Sequence, residues 1–211
     1  MHKQLTEALV LALENAVKDA ITQLPGEKIY SIAIYTCGEY LYAMDSIMTQ
    51  EGLEAVAADY LKKPFFQARW KSLANACAAL QWSPTDSPYH GAFDKHFDVA
   101  QEILDAIWEE NNKSDDPHAA EHIQTVRQAM LDALLRFKAS DAAPDGNIVY
   151  NLLMGDQSDE ERFLNAQQLN SPDGLAVVKA DLLKACDAFE RQYTLNSNTY
   201  KTTSGTTINS Y

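Results

Sequence analysis

Apolar residues near the start of the chain recur with a helical period. Between residues 5 and 24 they are spaced four apart, and neighbouring alanines widen the stripe. The positions are Leu5, Leu9, Leu13, Val17 and Ile21. Such a stripe is one face of an amphipathic helix packed on a core. The Pro25-Gly26 pair ends the helix, so the pattern predicts one helix over residues 5–24.

Three later segments have the composition of strands. Residues 28–35 are rich in β-branched and aromatic side chains, and 40–44 repeat this character after a short connection over 36–39. The pair predicts a β-hairpin. Residues 147–154 are apolar at consecutive positions, which is typical of an interior strand covered on both faces.

Further helices are predicted from periodicity, caps and proline positions. Thr49 precedes the first of them as an N-cap, and Asp116-Pro117 begins another. In the segment 97–110 the period places Val99, Ile103 and Ile107 inward. The predicted helices cover residues 51–62, 65–82, 97–110, 117–137, 160–167 and 174–193. The two Ser-Pro pairs in residues 82–91 predict a structured loop there.

These elements predict an α+β fold, with a small antiparallel or mixed sheet packed against several helices. The sheet consists of the hairpin near residues 28–44 and the strand near 147–154. A single domain over residues 1–193 fits the length of the chain. Residues 194–211 contain one lysine, no acid and mostly Asn, Thr and Ser, so we expect a flexible polar tail.

Composition and charge narrow the classes of function. With 17 basic and 30 acidic residues the chain has a formal net charge of −13, which repels nucleic acid and anionic membranes and attracts a basic partner. Its three cysteines form no CxxC pair, as expected of reduced thiols. The chain shows no signal-like start and no apolar run long enough to span a bilayer. We therefore expect a cytoplasmic protein.

Much of the negative charge is concentrated in one segment. Residues 86–121 contain ten acids and only two lysines. Five of the acids, spaced 4, 4, 3 and 4, would stack along one helix face, where like charges repel and reduce helix stability. They are Asp94, Asp98, Glu102, Asp105 and Glu109. This pattern predicts a docking surface for a basic protein, although an ordinary solvated helix face has the same composition.

Motifs for catalysis are sparse. His118, Glu121 and His122 have the order of the H-x-x-E-H zinc peptidases, in which two histidines on one helix face hold the metal. No third ligand is marked, so a metal-dependent hydrolase remains the alternative function. The chain has neither a G-x-S-x-G elbow nor a glycine-rich phosphate loop. We expect no catalytic residues and no cofactor.

Four short segments resemble a bacterial family, the domain of unknown function family 4303. They are Ile29-Tyr-Ser-Ile-Ala-Ile-Tyr-Thr36, Leu80-Gln-Trp-Ser-Pro84, Ile148-Val-Tyr-Asn-Leu-Leu153 and Gln168-Leu-Asn-Ser-Pro172. The resemblance spans most of residues 3–193. It implies a small cytoplasmic bacterial protein, and some proteins of this general kind occur beside toxins of interbacterial competition as immunity proteins.

The leading hypothesis is therefore an immunity protein whose acidic face occludes a basic, nuclease-like toxin. A third hypothesis is a non-catalytic oligomeric scaffold in which surface aromatics, such as Trp82 and Tyr89, meet another copy of the chain. The sequence leaves the oligomeric state open.

Overall fold

The computed structural model describes residues 2–111, 119–155 and 157–176. The α-helices are α1 His2–Gln23, α2 Gln50–Leu61, α3 Pro64–Trp70, α4 Leu73–Leu80, α5 Asp98–Asn111, α6 Ala119–Lys138 and α7 Asp159–Leu169. The strands are β1 Ile29–Thr36, β2 Met44–Thr49 and β3 Val149–Met154. Two short 3-10 helices, Pro84–Asp86 and Asp94–Phe97, lie between α4 and α5.

The three strands form one mixed sheet in the order β2-β1-β3. β2 runs antiparallel to β1, and β3 runs parallel to it. Ile34 in the central strand pairs with Asp45 on one side and with Leu152 on the other. All but the last residue of β3 are buried, as expected for a strand with apolar side chains on both faces. The α+β prediction with a small mixed sheet is confirmed.

The predicted position of the second hairpin strand is wrong. Residues 40–44 were expected to pair with β1, but β2 spans Met44–Thr49 and residues 37–43 form the connection. β2 contains Asp45, Ser46 and Thr49, all of them buried. Because Asp is depleted in strands and Ser is not a strand former, Asp45 and Ser46 hide the start of the strand from a propensity argument.

The main core lies on one face of the sheet. Ile32, Ile34 and Leu152 project from the strands into a cluster with α1, α5 and α6. From α5 the buried residues are Ala100, Leu104 and Ile107, while Val99 is 60% exposed. The prediction that Val99 points inward is therefore wrong. Ile103 is half-buried against the same core.

The opposite face of the sheet is covered by smaller clusters. Ala33, Met48 and Leu153 form one of them, and Trp82 packs on Val149 in another. Trp82 is only 8% exposed, and Tyr89 is half-buried. The expectation that these two aromatics lie on the surface is wrong for Trp82 because its ring packs edge-on against Tyr30 beneath the loop.

The segment predicted as one helix over residues 65–82 is two helices. Lys71 has a positive φ of 64° and ends α3 in the left-handed conformation. Ser72 then caps α4, because its hydroxyl accepts a hydrogen bond from the N–H of Asn75 at 3.2 Å. The alanine-rich sequence is compatible with one continuous helix, but the left-handed Lys71 and the cap at Ser72 separate it into α3 and α4.

The start of α2 leaves little space for a larger side chain. Thr49 is its N-cap, as predicted, and accepts a hydrogen bond from the N–H of Gly52 at 3.0 Å. A Cβ on Gly52 would lie 2.8 Å from Thr49 Oγ1 and 3.0 Å from Pro88 Cγ. These distances are well inside van der Waals contact, so the cap and the loop must shift to admit a methyl group.

We expect Gly52→Ala to lower the free energy of unfolding by about 1–3 kcal/mol, the usual cost of overpacking. Urea unfolding measures the change. Gly38→Ala is the matched control, because no described atom lies within 4 Å of a Cβ built there. Equal losses in the two variants would show that the contact between Gly52 and the 82–91 loop is not tight.

Two predicted features lie outside the described residues. The helix over residues 174–193 is described only to residue 176, and the polar tail over 194–211 is not described. Within the described part of the chain, no helix combines the length and apolar character that crossing a bilayer needs.

Candidate partner-binding surface

The five predicted carboxylates lie on the surface and define the acidic face: Asp94, Asp98, Glu102, Asp105 and Glu109. All five are exposed. Asp94 begins the 3-10 helix that leads into α5, and the other four lie on α5 opposite its buried residues. The spacing of these acids thus identified a solvent-facing row on one helix, continued by Asp94.

Two basic residues that follow Asp94 in the chain, Lys95 and His96, bond to Asp19 and not to the acidic face. Lys95 Nζ and His96 Nε2 both lie 2.9 Å from Asp19 Oδ2 on α1. The hydrogen bonds from Lys95 and then His96 lower the pKa of Asp19, which keeps this carboxylate ionised. In the described ranges, none of the five carboxylates of the acidic face forms an ion pair. Their charge therefore faces solvent without a fixed counter-charge.

A loop that the sequence did not connect with this surface lies beside it. Gln101 Nε2 donates to the backbone oxygen of Leu41 at 3.1 Å and to Asp105 Oδ1 at 2.8 Å. Trp108 Nε1 donates to the backbone oxygen of Tyr40 at 3.3 Å. The bonds to the backbone oxygens of Leu41 and Tyr40 hold the connection over residues 37–43 against α5. They are long-range contacts, so no local sequence signal could have shown them.

Two exposed apolar side chains adjoin the acidic face. Val99 is 60% exposed on α5 itself, next to Asp98 in the chain, and Leu41 is 44% exposed on the fastened loop. Surface charges alone contribute little affinity because water and salt screen them. Apolar groups beside them supply area that a partner can bury. The surface thus combines unpaired negative charge with aliphatic contacts.

The chain also matches a known family. The family model of a domain of unknown function, DUF4303, matches residues 9–171. The chain belongs to the DUF4303 family. The resemblance drawn from the four short segments is thereby confirmed. No curated protein and no solved structure matches this DUF4303 chain.

The candidate metal motif of the DUF4303 chain is only partly described. Glu121 is exposed and His122 is half-buried in the first turn of α6, and His118 lies outside the described residues. Across residues 2–111, 119–155 and 157–176, no group of three or more His, Cys, Asp or Glu side chains is arranged to hold a metal ion.

A buried acid that no sequence pattern indicated bonds to the start of the 3-10 helix that leads into α5. Asp45 on β2 is 1% exposed, and its Oδ1 accepts a hydrogen bond from the N–H of Phe93 at 3.0 Å. Its Oδ2 is buried without a hydrogen-bond partner. Burial raises the pKa of Asp45 to about 7, and the charge of Asp94 acts in the same direction.

Proposed function

We propose that this DUF4303 chain is a binding protein of the bacterial cytoplasm, of the immunity-protein type, that occludes a basic, nuclease-like toxin with its acidic face. The observation that carries the proposal is the row of exposed carboxylates whose neighbours Lys95 and His96 bond to Asp19 instead. A cleft that binds nucleic acid phosphates is lined by cations, and such a cleft is complementary to this row.

The acidic face has a cost that folding does not explain. Asp98, Glu102, Asp105 and Glu109 stand three or four residues apart on α5, where like charges destabilise a helix by about 0.2–0.5 kcal/mol per pair. Within the described residues no cation offsets this repulsion by pairing with them. A row of mutually repelling charges on a helix is expected where the charges serve binding rather than folding.

Charge and apolar contacts would contribute differently to the complex. Exposed carboxylates mainly raise the association rate and select a partner of opposite charge. Affinity at equilibrium depends more on buried area, which Val99 and Leu41 can supply at the edge of the row. A toxin held in this way would be inhibited by occlusion of its cleft, without any chemical step.

The proposal is tested by using the full chain as bait in a lysate of its source cell, first at low and then at high salt. We expect a basic protein to be retained at low salt and released at high salt, because screening removes the attraction between exposed charges. Expressed alone, that protein should be toxic, and coexpression of this chain should prevent the toxicity. Retention of no protein, or of a partner that is neither basic nor toxic, would contradict the proposal.

A further inference from the structure

Helix α3 projects side chains that the fold does not bury. None of its seven residues is buried, and Phe65 is 68% exposed, the largest exposure among the large hydrophobic side chains described. The helix packs only against the neighbouring α2 and α4 among its main contacts. An exposed apolar patch rimmed by polar residues is typical of a protein-binding or membrane-binding site, and Phe65 lies here beside the half-buried Phe66 and Trp70.

The aromatic residues around α3 pack on one another. Phe66 stacks on Trp70 with ring centroids 5.0 Å apart, and Tyr60 meets both rings edge-on. Among the described ring contacts, Phe65 meets this group at Phe66, with centroids 5.1 Å apart and the two rings nearly perpendicular. Tyr60, Phe66 and Trp70 therefore pack on one another, and Phe65 extends from this cluster into solvent.

The surroundings of α3 are basic although the whole chain is acidic. Residues 60–85 contain no carboxylate and four cations, namely Lys62, Lys63, Arg69 and Lys71. Lys62 pairs with Asp59 at 3.3 Å, and Lys63 lies over the ring of Tyr60 at 4.8 Å. At physiological salt a charge acts over only about 8 Å, so nearby charges decide the local balance. The carboxylates in contact with this group are Asp59, paired with Lys62, and Asp86, which accepts a hydrogen bond from Tyr60, so the four cations remain in excess. Residues 62–71 are called the basic-aromatic segment below.

We propose that the basic-aromatic segment docks on an anionic phospholipid surface, with Phe65 inserted among the lipids and the cations at the phosphate groups. Aromatic residues beside lysines are the composition of interfacial membrane contacts. This surface binding differs from spanning, and it revises the expectation that the net charge excludes the chain from membranes. That expectation used the net charge of the whole chain and did not consider the local excess of cations around α3.

Other partners fit these observations less well. Single-stranded nucleic acid binds by stacking on open ring faces, and Phe66 and Trp70 cover one face of each other while Tyr60 packs against both rings. Cores of protein interfaces are depleted in lysine, whereas three of the four cations here are lysines. In a symmetric contact between two copies of this chain, the same four cations would meet each other and repel.

The proposal is tested by flotation of the full chain with vesicles of phosphatidylglycerol and phosphatidylcholine in equal parts, and with vesicles of phosphatidylcholine alone. We expect binding only to the mixed vesicles and loss of binding at high salt. Each cation near an anionic surface strengthens binding about fivefold, so Lys63→Glu with Arg69→Glu should weaken it more than about tenfold. Phe65→Ala should weaken it about tenfold.

Matched controls separate a local contact from net charge and from general apolar exposure. Lys3→Glu with Lys18→Glu makes the same change in charge on α1, and Leu164→Ala removes a side chain that is 48% exposed on α7. Both controls should bind the mixed vesicles as the natural chain does. Binding should also shift the fluorescence of Trp70 to shorter wavelength, and Trp70→Phe should remove that shift.

Three results would overturn the proposal. The first is no binding to the mixed vesicles, and the second is equal weakening by the control and the segment variants. The third is a change in self-association caused by Phe65→Ala in sedimentation, without any change in vesicle binding. That third result would assign the segment to contacts between copies of the chain.

Discussion

Asp45→Asn should stabilise the protein by about 1–3 kcal/mol at about pH 8, and the gain should vanish below about pH 4. Asp45 is buried, its Oδ2 has no hydrogen-bond partner, and its pKa is raised from 3.8 to about 7. At pH 8 the folded protein must therefore hold a desolvated carboxylate. Asparagine keeps an oxygen for the N–H of Phe93 and carries no charge.

The direction in which stability changes with pH follows from the raised pKa of Asp45. Because the folded state binds a proton more tightly than the unfolded chain, the stability contributed by the protonated carboxyl is complete below about pH 4. It declines as the pH rises and is lost above about pH 7. Urea unfolding at several pH values measures the difference between variant and natural chain. Asp141→Asn, at an exposed acid elsewhere in the chain, is the control, and a gain that does not vary with pH would contradict this explanation.

Leu104→Ala should lower the free energy of unfolding by about 2–5 kcal/mol, whereas Val99→Ala should change it by less than about 0.5 kcal/mol. Leu104 is fully buried among α1, α5 and α6, and Val99 is 60% exposed. Both substitutions truncate an aliphatic side chain on the same helix, and helix propensity favours alanine in both cases, so it cannot cause the loss expected at Leu104. Thermal unfolding monitored by circular dichroism compares them. A larger loss for Val99→Ala would restore the orientation predicted from the sequence and place the acidic face elsewhere.

The sequence-based error on α5 has a geometric cause. Positions four apart advance by 400° on a helix, so a stripe drawn at constant spacing of four drifts by about 40° at each step. The stripe of Val99, Ile103 and Ile107 follows that spacing, so it turns from the exposed side of α5 at Val99 to the core at Ile107. The buried residues Phe97, Ala100, Leu104 and Ile107 alternate spacings of three and four, which holds one face inward.

Apart from the errors described above, local sequence patterns predicted most elements of the fold, whereas contacts between residues distant in the chain could not be predicted. The cap at Thr49, the strand buried on both faces near Leu152 and the helix positions all follow from neighbouring residues. The hydrogen bonds from Gln101 and Trp108 to residues 37–43 depend on packing, as does the burial of Asp45. For the candidate surface, charge spacing predicted the carboxylates, and the sequence could not show that Leu41 joins them.

The most direct test of the acidic face is the affinity of the captured basic partner for two variants with the same change in net charge. The first replaces four carboxylates of the acidic face by lysine: Asp98, Glu102, Asp105 and Glu109. The second does so at four exposed acids elsewhere: Asp141, Asp145, Glu160 and Asp173. Calorimetric titration should show a loss of about a hundredfold or more for the first variant and less than about threefold for the second. Equal losses would mean that only net charge matters, and unchanged affinity of the first variant would remove the acidic face as the binding site.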